Sequence, residues 1–344
     1  MEAWADLVDT EALRRWMSAQ GLGSGPIAEI VPLSGGTQNI LLRLRRGERC
    51  FVLRRPPRHP RPESNSTMLR EARMLAALGA TRVPHPRLIA TCPDEDILGV
   101  VFYLMEPVEG FSPTGGLPAL HRDPIVQHRM GLALVEGIVA LGAVDHVEVG
   151  LGDFGKPDRY LERQVQRWRA QLASYSAHRG WPGAQTLPAT ARIADWLEAH
   201  RPGRFEPGIL HGDYHLGNVM YRTDSAELAA IVDWELTTVG DPLIDLGWLL
   251  ATWPGPDFDP LATLDIRPWS GFPSASELIE HYRSQSRRDL GAIEWYAVLA
   301  CYKLAIILEG TYARACAGLA DPTTGERLHL SAVNLLERAV RRLS

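Results

Sequence analysis

The chain opens on a helical pattern of apolar positions. Leu13, Trp16 and Met17 fall on one face, Asp9 or Thr10 can cap the first turn, and Gly21 follows the last periodic residue. The period then changes. Residues 27–33 read as a strand entering Ser34-Gly35-Gly36-Thr37-Gln38-Asn39, residues 40–44 as a returning strand, and residues 50–54 as a third strand stopped by Pro56-Pro57. A loop rich in Pro and Arg runs to Glu63. Ser64 or Ser66 is the expected cap of a helix that carries Met68, Leu69, Ala72, Leu75 and Ala76 at helical spacing. Residues 100–105 read as a further strand and residues 106–110 as a connector. From about Gln127 the pattern is mainly helical, interrupted by loops near the middle of the chain. Trp168, Trp196 and Trp248 are expected in the core.

The densest chemistry lies in one of those loops, His211-Gly212-Asp213-Tyr214-His215-Leu216-Gly217-Asn218. Residues 219–221 read as a strand, Thr223, Asp224 and Ser225 as a turn, and residues 228–232 as a second strand ending on Asp233. The turn is expected to return Asp233 close to Asn218. Two carboxylates and an amide oxygen around one small space are what phosphoryl transfer from ATP requires, one to accept a hydroxyl proton and an Asn–Asp pair to hold Mg²⁺. Taken singly, Asp213 and Asn218 read as turn residues and Asp233 as a strand-end cap. Their common spacing favours chemistry. His211 and His215 stand four apart, as zinc ligands on a helix do. Gly212 and Gly217 break helix here and no Glu follows His211, so a zinc hydrolase is a distant reading. His211 is expected to hold the loop by hydrogen bonds.

Three other stretches matter. Gly35, Gly36 and Thr37 can lay backbone N–H groups over ATP phosphates, although Gly-Gly also marks ordinary hairpins. Asp241 precedes Pro242 and reads as a helix cap. Asp245 sits in an apolar run, residues 243–250, where a buried carboxylate needs partners.

The run His-Gly-Asp-x-x-x-x-Asn followed by a strand ending in Asp resembles the catalytic and metal loops of the protein-kinase-like superfamily, and most of all the aminoglycoside phosphotransferase family. The resemblance implies an α+β, two-lobed protein-kinase-like fold. Its N-terminal antiparallel-sheet lobe with one helix would be residues 1–105, its hinge residues 106–110, and its mainly helical lobe with the catalytic and metal loops residues 111–344. It implies Asp213 as base, Asn218 and Asp233 as Mg²⁺ ligands, and His215 where many protein kinases carry a Lys near the transferred phosphate. Arg54 stands where kinases carry the phosphate-binding Lys, and residues 1–155 contain no lysine. Alternation along the strand favours Arg54 over Arg55, with Val52 inward. Glu71 is the implied ion-pair partner of Arg54. Glu106 to Val108 would meet the adenine edge, and Asp245 would hold the catalytic-loop backbone. Gly35-Gly36-Thr37 departs from Gly-x-Gly-x-x-Gly. The stretch Phe51-Val52-Leu53-Arg54-Arg55-Pro56-Pro57 also looks like the kinase domains that accompany acyl-CoA dehydrogenases, which implies a hydroxyacyl-CoA or another anionic hydroxyl compound as acceptor.

Composition narrows this picture. An apolar fraction of 45% and a charged fraction of 22% suit a globular chain, with no apolar run near membrane-spanning length in this reading. The N-terminus lacks a signal pattern, and four scattered cysteines without Cys-x-x-Cys make a reducing, cytoplasmic setting the expectation. Net charge of −5 gives no general reason to bind nucleic acid. The oligomeric state is not legible. Lys156 and Lys303 are the two lysines of the chain. Residues 156–204 hold nine basic residues against four acidic ones, a local field that would repel a polycation and attract an anion, unless it is simply a solvated helix face. The reading is an ATP- and Mg²⁺-dependent phosphotransferase acting on a hydroxyl of a small molecule. An antibiotic phosphotransferase, or a nucleotide-binding pseudokinase suggested by Arg54 and the altered glycine loop, are the alternatives.

Overall fold

The computed structural model describes residues 6–33, 39–255, 264 and 266–343. Gly35, Gly36 and Thr37 lie outside the described residues. The chain divides into two units, Met1–Phe111 with Ala229–Thr237, and Ser112–Leu228 with Thr238–Ser344.

In the first unit, α1 (Thr10–Ala19) is capped by Asp9, whose carboxylate accepts from the Glu11 and Ala12 N–H groups at 2.9 Å. Then come β1 (Ile27–Pro32), β2 (Ile40–Arg46), β3 (Arg49–Arg55), α2 (Ser64–Leu78), β4 (Leu88–Cys92), the short α3 (Glu95–Leu98) and β5 (Phe102–Met105). The strands form one antiparallel sheet in the order β1-β2-β3-β5-β4. β4 was not foreseen. Its first four residues are all half-buried, so there is no alternation to read, and pairing with β5 makes it a strand. α2 begins where expected, but neither serine caps it. Ser64 Oγ accepts from the Arg61 N–H, Ser66 Oγ donates to the Glu63 carbonyl, and Glu63 occupies the cap position without a side-chain bond.

β3 is buried on both faces, which decides the fate of its two arginines. Phe51 and Leu53 join Leu13, Met17, Leu42, Leu44, Phe102 and Leu104 in one cluster. Arg55 is buried too, with its guanidinium on the Leu7 and Pro56 carbonyls. Val52 and Arg54 alternate to the opposite face. The stretch Ala229–Thr237 belongs to this unit, where the Ile231 N–H donates to the Pro84 carbonyl at 2.9 Å and Asp233 pairs with Arg54.

The second unit contains α4 (Pro124–Gly142), α5 (Glu162–Ser174), α6 (Thr190–Ala199), β6 (Gly208–Leu210) and β7 (Val219–Tyr221). Of β8 (Leu228–Ile231), Leu228 belongs to this unit and the remainder to the first. β9 (Thr238–Gly240), α7 (Leu243–Thr252), α8 (Ala275–Gln285), α9 (Ile293–Cys316) and α10 (Pro322–Arg341) complete the second unit. β6 and β9 pair antiparallel. α4 is long and apolar enough, by length and composition alone, to cross a membrane, which corrects the reading that no run approached that length. Gln127, His128, Arg129 and Glu136 interrupt the run and hid it. In the fold Met130, Leu134, Ile138 and Leu141 of α4 are fully buried, and the Tyr214 and Tyr221 hydroxyls donate to the Leu134 and Met130 carbonyls, each at 2.8 Å. α7 is buried along its whole length. It starts at Leu243 with Pro242 at the cap position, while Asp241 accepts from the Leu243 N–H at 3.1 Å and from the Tyr296 hydroxyl. Gly247 permits α7 to approach α9, since a Cβ there would fall 2.5 Å from the Tyr296 carbonyl oxygen.

Candidate active site

The first unit carries a buried charged cluster around Arg54. The Arg54 guanidinium is 2.8 Å from Glu71 Oε2 and 2.8 Å from Asp233 Oδ1, and the Tyr103 hydroxyl donates to Glu71 Oε2 at 2.9 Å. Local structure brings these groups together. Arg54 stands opposite Tyr103 in the β3–β5 register, and Glu71 shares the buried face of α2 with Met68, Ala72 and Leu75. Asp233 adopts a left-handed backbone, φ +67°, that Asp tolerates better than most side chains. Arg54 is only 6% exposed. Burial works against its charge, yet the Glu71 carboxylate and then Asp233 outweigh it and push its pKa up. Glu106 follows β5 with its N–H donated to the Arg87 carbonyl at 2.9 Å, and Val108 is half-buried.

The second unit carries the other cluster. Gly212 takes φ +87°, which only glycine adopts freely, and turns the chain into Asp213. Asp245, 1% exposed on α7, accepts from the His211 N–H at 2.6 Å and the Gly212 N–H at 2.8 Å. The resemblance implies this backbone role for it. The buried His211 ring accepts at Nδ1 from the Asp213 N–H at 3.3 Å. His215 Nδ1 accepts from the Gly217 N–H at 3.0 Å, so its Nε2 carries the hydrogen and faces Asp213 Oδ1 at 3.4 Å. Asn218 Nδ2 donates to Asp213 Oδ2 and to the Asp213 carbonyl, both at 2.9 Å. Burial raises the Asp213 pKa, but the hydrogen bond from His215, the electrostatic influence of the His215 and His211 rings, and Lys303 more than reverse this and hold it well below the usual carboxylate range.

The donor chemistry fits a hard cation. With its amide nitrogen committed to Asp213, Asn218 is left with Oδ1, an oxygen of the kind Mg²⁺ takes, and the Asp233 carboxylate, paired with Arg54, is another. Mg²⁺ commonly takes one or two carboxylates and completes its shell with phosphate and water. The two residues belong to different units, Asn218 to the second and Asp233 to the first. Among the described residues no cluster of three or more His, Cys, Asp or Glu could hold a metal. The His211 and His215 rings are turned to the backbone of their own loop instead, which speaks against a zinc pair.

The profile described as Phosphotransferase enzyme family matches residues 29–277. The chain belongs to this family. It is 31% identical over 311 residues to acyl-CoA dehydrogenase family member 11 of Rattus norvegicus, an alignment covering 87% of this chain and 38% of that protein. It is 29% identical over 310 residues to acyl-CoA dehydrogenase family member 10 of Mus musculus, covering 88% of this chain and 28% of that protein. The chain therefore spans roughly a third of the length of these curated relatives. A crystal structure from Ralstonia eutropha assigned to the aminoglycoside phosphotransferases superposes with a TM-score of 0.79 at 30% identity, covering 97% of this chain and 98% of that one. The GDP and kanamycin complex of APH(2")-IIIa superposes with a TM-score of 0.61 at 18% identity, covering 94% and 96%, which is a likeness of fold. The kinase-like α+β fold expected from the motif is the fold of this phosphotransferase.

Sequence reasoning missed Lys303. Its ammonium donates to the Gly212 carbonyl at 2.9 Å and lies over the Trp248 ring, 4.3 Å from the centroid. It falls outside the matched span and belongs to no motif. The signal was the one that drew attention to Asp245, a single charge within an apolar helical run, here residues 295–308. Tyr103 was also missed, because a strand tyrosine reads as core until its cross-strand neighbour is known.

Proposed function

We propose that the protein transfers the γ-phosphoryl group of ATP to a hydroxyl of a small anionic molecule, with hydroxyacyl-CoA-type thioesters as the acceptor class. The observation that carries the reading is Asp213, a carboxylate kept ionised by its histidines and oriented by Asn218. The acceptor oxygen attacks the γ-phosphorus, the bond to the β–γ bridging oxygen breaks, ADP leaves, and Asp213 takes the hydroxyl proton. Mg²⁺, when bound by Asn218 and Asp233, would neutralise charge on the phosphates. Arg54 supplies a permanent cation for those phosphates, oriented by Glu71, and the His215 Nε2–H supplies a further donor.

Charge supports the anionic acceptor. Of the four acids in residues 156–204, three are engaged by arginines of the same stretch, in the pairs Arg159–Glu162, Arg169–Asp195 and Arg201–Glu198. Arg167 lies over the Trp168 ring, 5.4 Å from its centroid, and acts electrostatically on Lys303. The acyl-CoA dehydrogenase names of the relatives point to the same substrate class. The test is a transfer assay with γ-labelled ATP against hydroxyacyl thioesters, neutral alcohols and kanamycin. Label on the thioesters is expected. Efficient labelling of kanamycin, with none on the thioesters, would overturn the acceptor class, and no transfer to any acceptor would favour nucleotide binding without turnover.

A further inference from the structure

The peptide that precedes Asp213 is gripped from both sides. Asp245 of α7 accepts the His211 and Gly212 N–H groups, and Lys303 of α9 donates to the Gly212 carbonyl. The two helices pack closely through Gly247, so both grips come from one helix pair. Trp248 and Trp168 flank the ammonium, with ring centroids at 4.3 Å and 5.6 Å. Such faces hold a cation without neutralising it.

We propose that Lys303 is a positioning residue for the phosphoryl transfer, fixing the peptide that carries Asp213 through the Gly212 carbonyl and offsetting the Asp213 and Asp245 carboxylates with its charge. The proposal rests on the reading of Asp213 as base and needs no particular acceptor. The charged groups acting on Lys303 are Asp213 from the loop, Asp245 from α7 and Arg167 from α5. Burial lowers its pKa to about 8, and the two carboxylates limit that fall.

Two variants test it. Lys303→Met keeps an apolar stem beside the indoles and removes the donor and the charge. Lys303→Arg keeps both. With whichever acceptor the wild type labels, Lys303→Met is expected to lower kcat by about 10²-fold, the scale of a small misplacement of a reacting group, with KM for ATP unchanged. Lys303→Arg is expected to recover most of that loss. The wild-type kcat is expected to fall above about pH 8 as Lys303 loses its proton, and Lys303→Arg is expected to lack that fall, because a guanidinium stays charged there. Amide exchange in the peptide spanning residues 209–218, measured without acceptor, should quicken in Lys303→Met and return towards normal in Lys303→Arg. Wild-type kcat and exchange in Lys303→Met would overturn the proposal. So would a loss shared equally by ATP affinity and melting temperature and not recovered by arginine. If the wild type transfers phosphate to no acceptor, the base reading fails, and exchange alone decides whether Lys303 fixes the loop: faster exchange in Lys303→Met supports it and unchanged exchange overturns it.

Discussion

Each unit sets a cation between two carboxylates, and the two do so in different ways. In the first unit the contacts run from side chain to side chain, with Arg54 reaching Glu71 and Asp233 at once. In the second they run through backbone, with Asp245 on two N–H groups and Lys303 on the carbonyl between them and Asp213. The choice of cation follows. A planar fork can serve two carboxylates from one position, while a compact ammonium on a flexible stem suits one carbonyl beneath an indole face. The first arrangement orients acids directly. The second shapes the loop that carries Asp213, the proposed base, so on that reading its members need not meet substrate to matter.

The sharpest way to break the comparison is Asp213→Ala. Transfer should fall by about 10²- to 10⁴-fold, with ATP binding nearly intact, as general-base assistance predicts. Near-normal turnover would remove the second-unit cluster from the chemistry. Glu71→Ala addresses the first unit. It leaves the buried Arg54 with Asp233 alone, and removing one partner of a buried pair costs about 3–5 kcal/mol, readable as a shift in urea unfolding. A loss below about 1 kcal/mol would mean the pair behaves like a surface one. Asp233→Ala should weaken Mg²⁺-dependent nucleotide binding on the order of tenfold, or about 1.4 kcal/mol, in calorimetric titrations. An unchanged Mg²⁺ titration would leave Asp233 as a partner of Arg54 and no more. The smallest effect is expected for Tyr214→Phe, which deletes the bond to the Leu134 carbonyl. Stability should drop by about 1 kcal/mol while transfer persists, and a large fall in kcat would mean that α4 also positions the loop.

Legibility in the sequence tracked how local each feature is. The Asp9 cap, strands β2 and β3, and the choice of Arg54 over Arg55 for the α2 side of the sheet followed from spacing and alternation within a few residues. Asp213 and Asn218 followed from a five-residue interval inside one loop. β4 was hidden because its first four residues share one level of burial, so no face could be read before its partner strand was known. The serine cap of α2 failed for a related reason. Several side chains there could satisfy the turn, and the arrangement found turns the Ser64 hydroxyl back to the Arg61 N–H ahead of the helix.

By itself, the sequence determined the order and spacing of His211, Asp213, Asn218 and Asp233, the placing of a carboxylate within the apolar run of α7, and the charge excess of residues 156–204, because each is a property of a short continuous stretch. Only the tertiary structure decided what meets those residues. The Arg54–Asp233 contact joins positions 179 apart, and the Lys303 contact with Gly212 joins positions 91 apart. Neither leaves a periodic trace in the chain. Strand register, the close approach of α7 and α9, and the burial that makes an unpaired charge costly select those partners, and these exist only once the chain is packed.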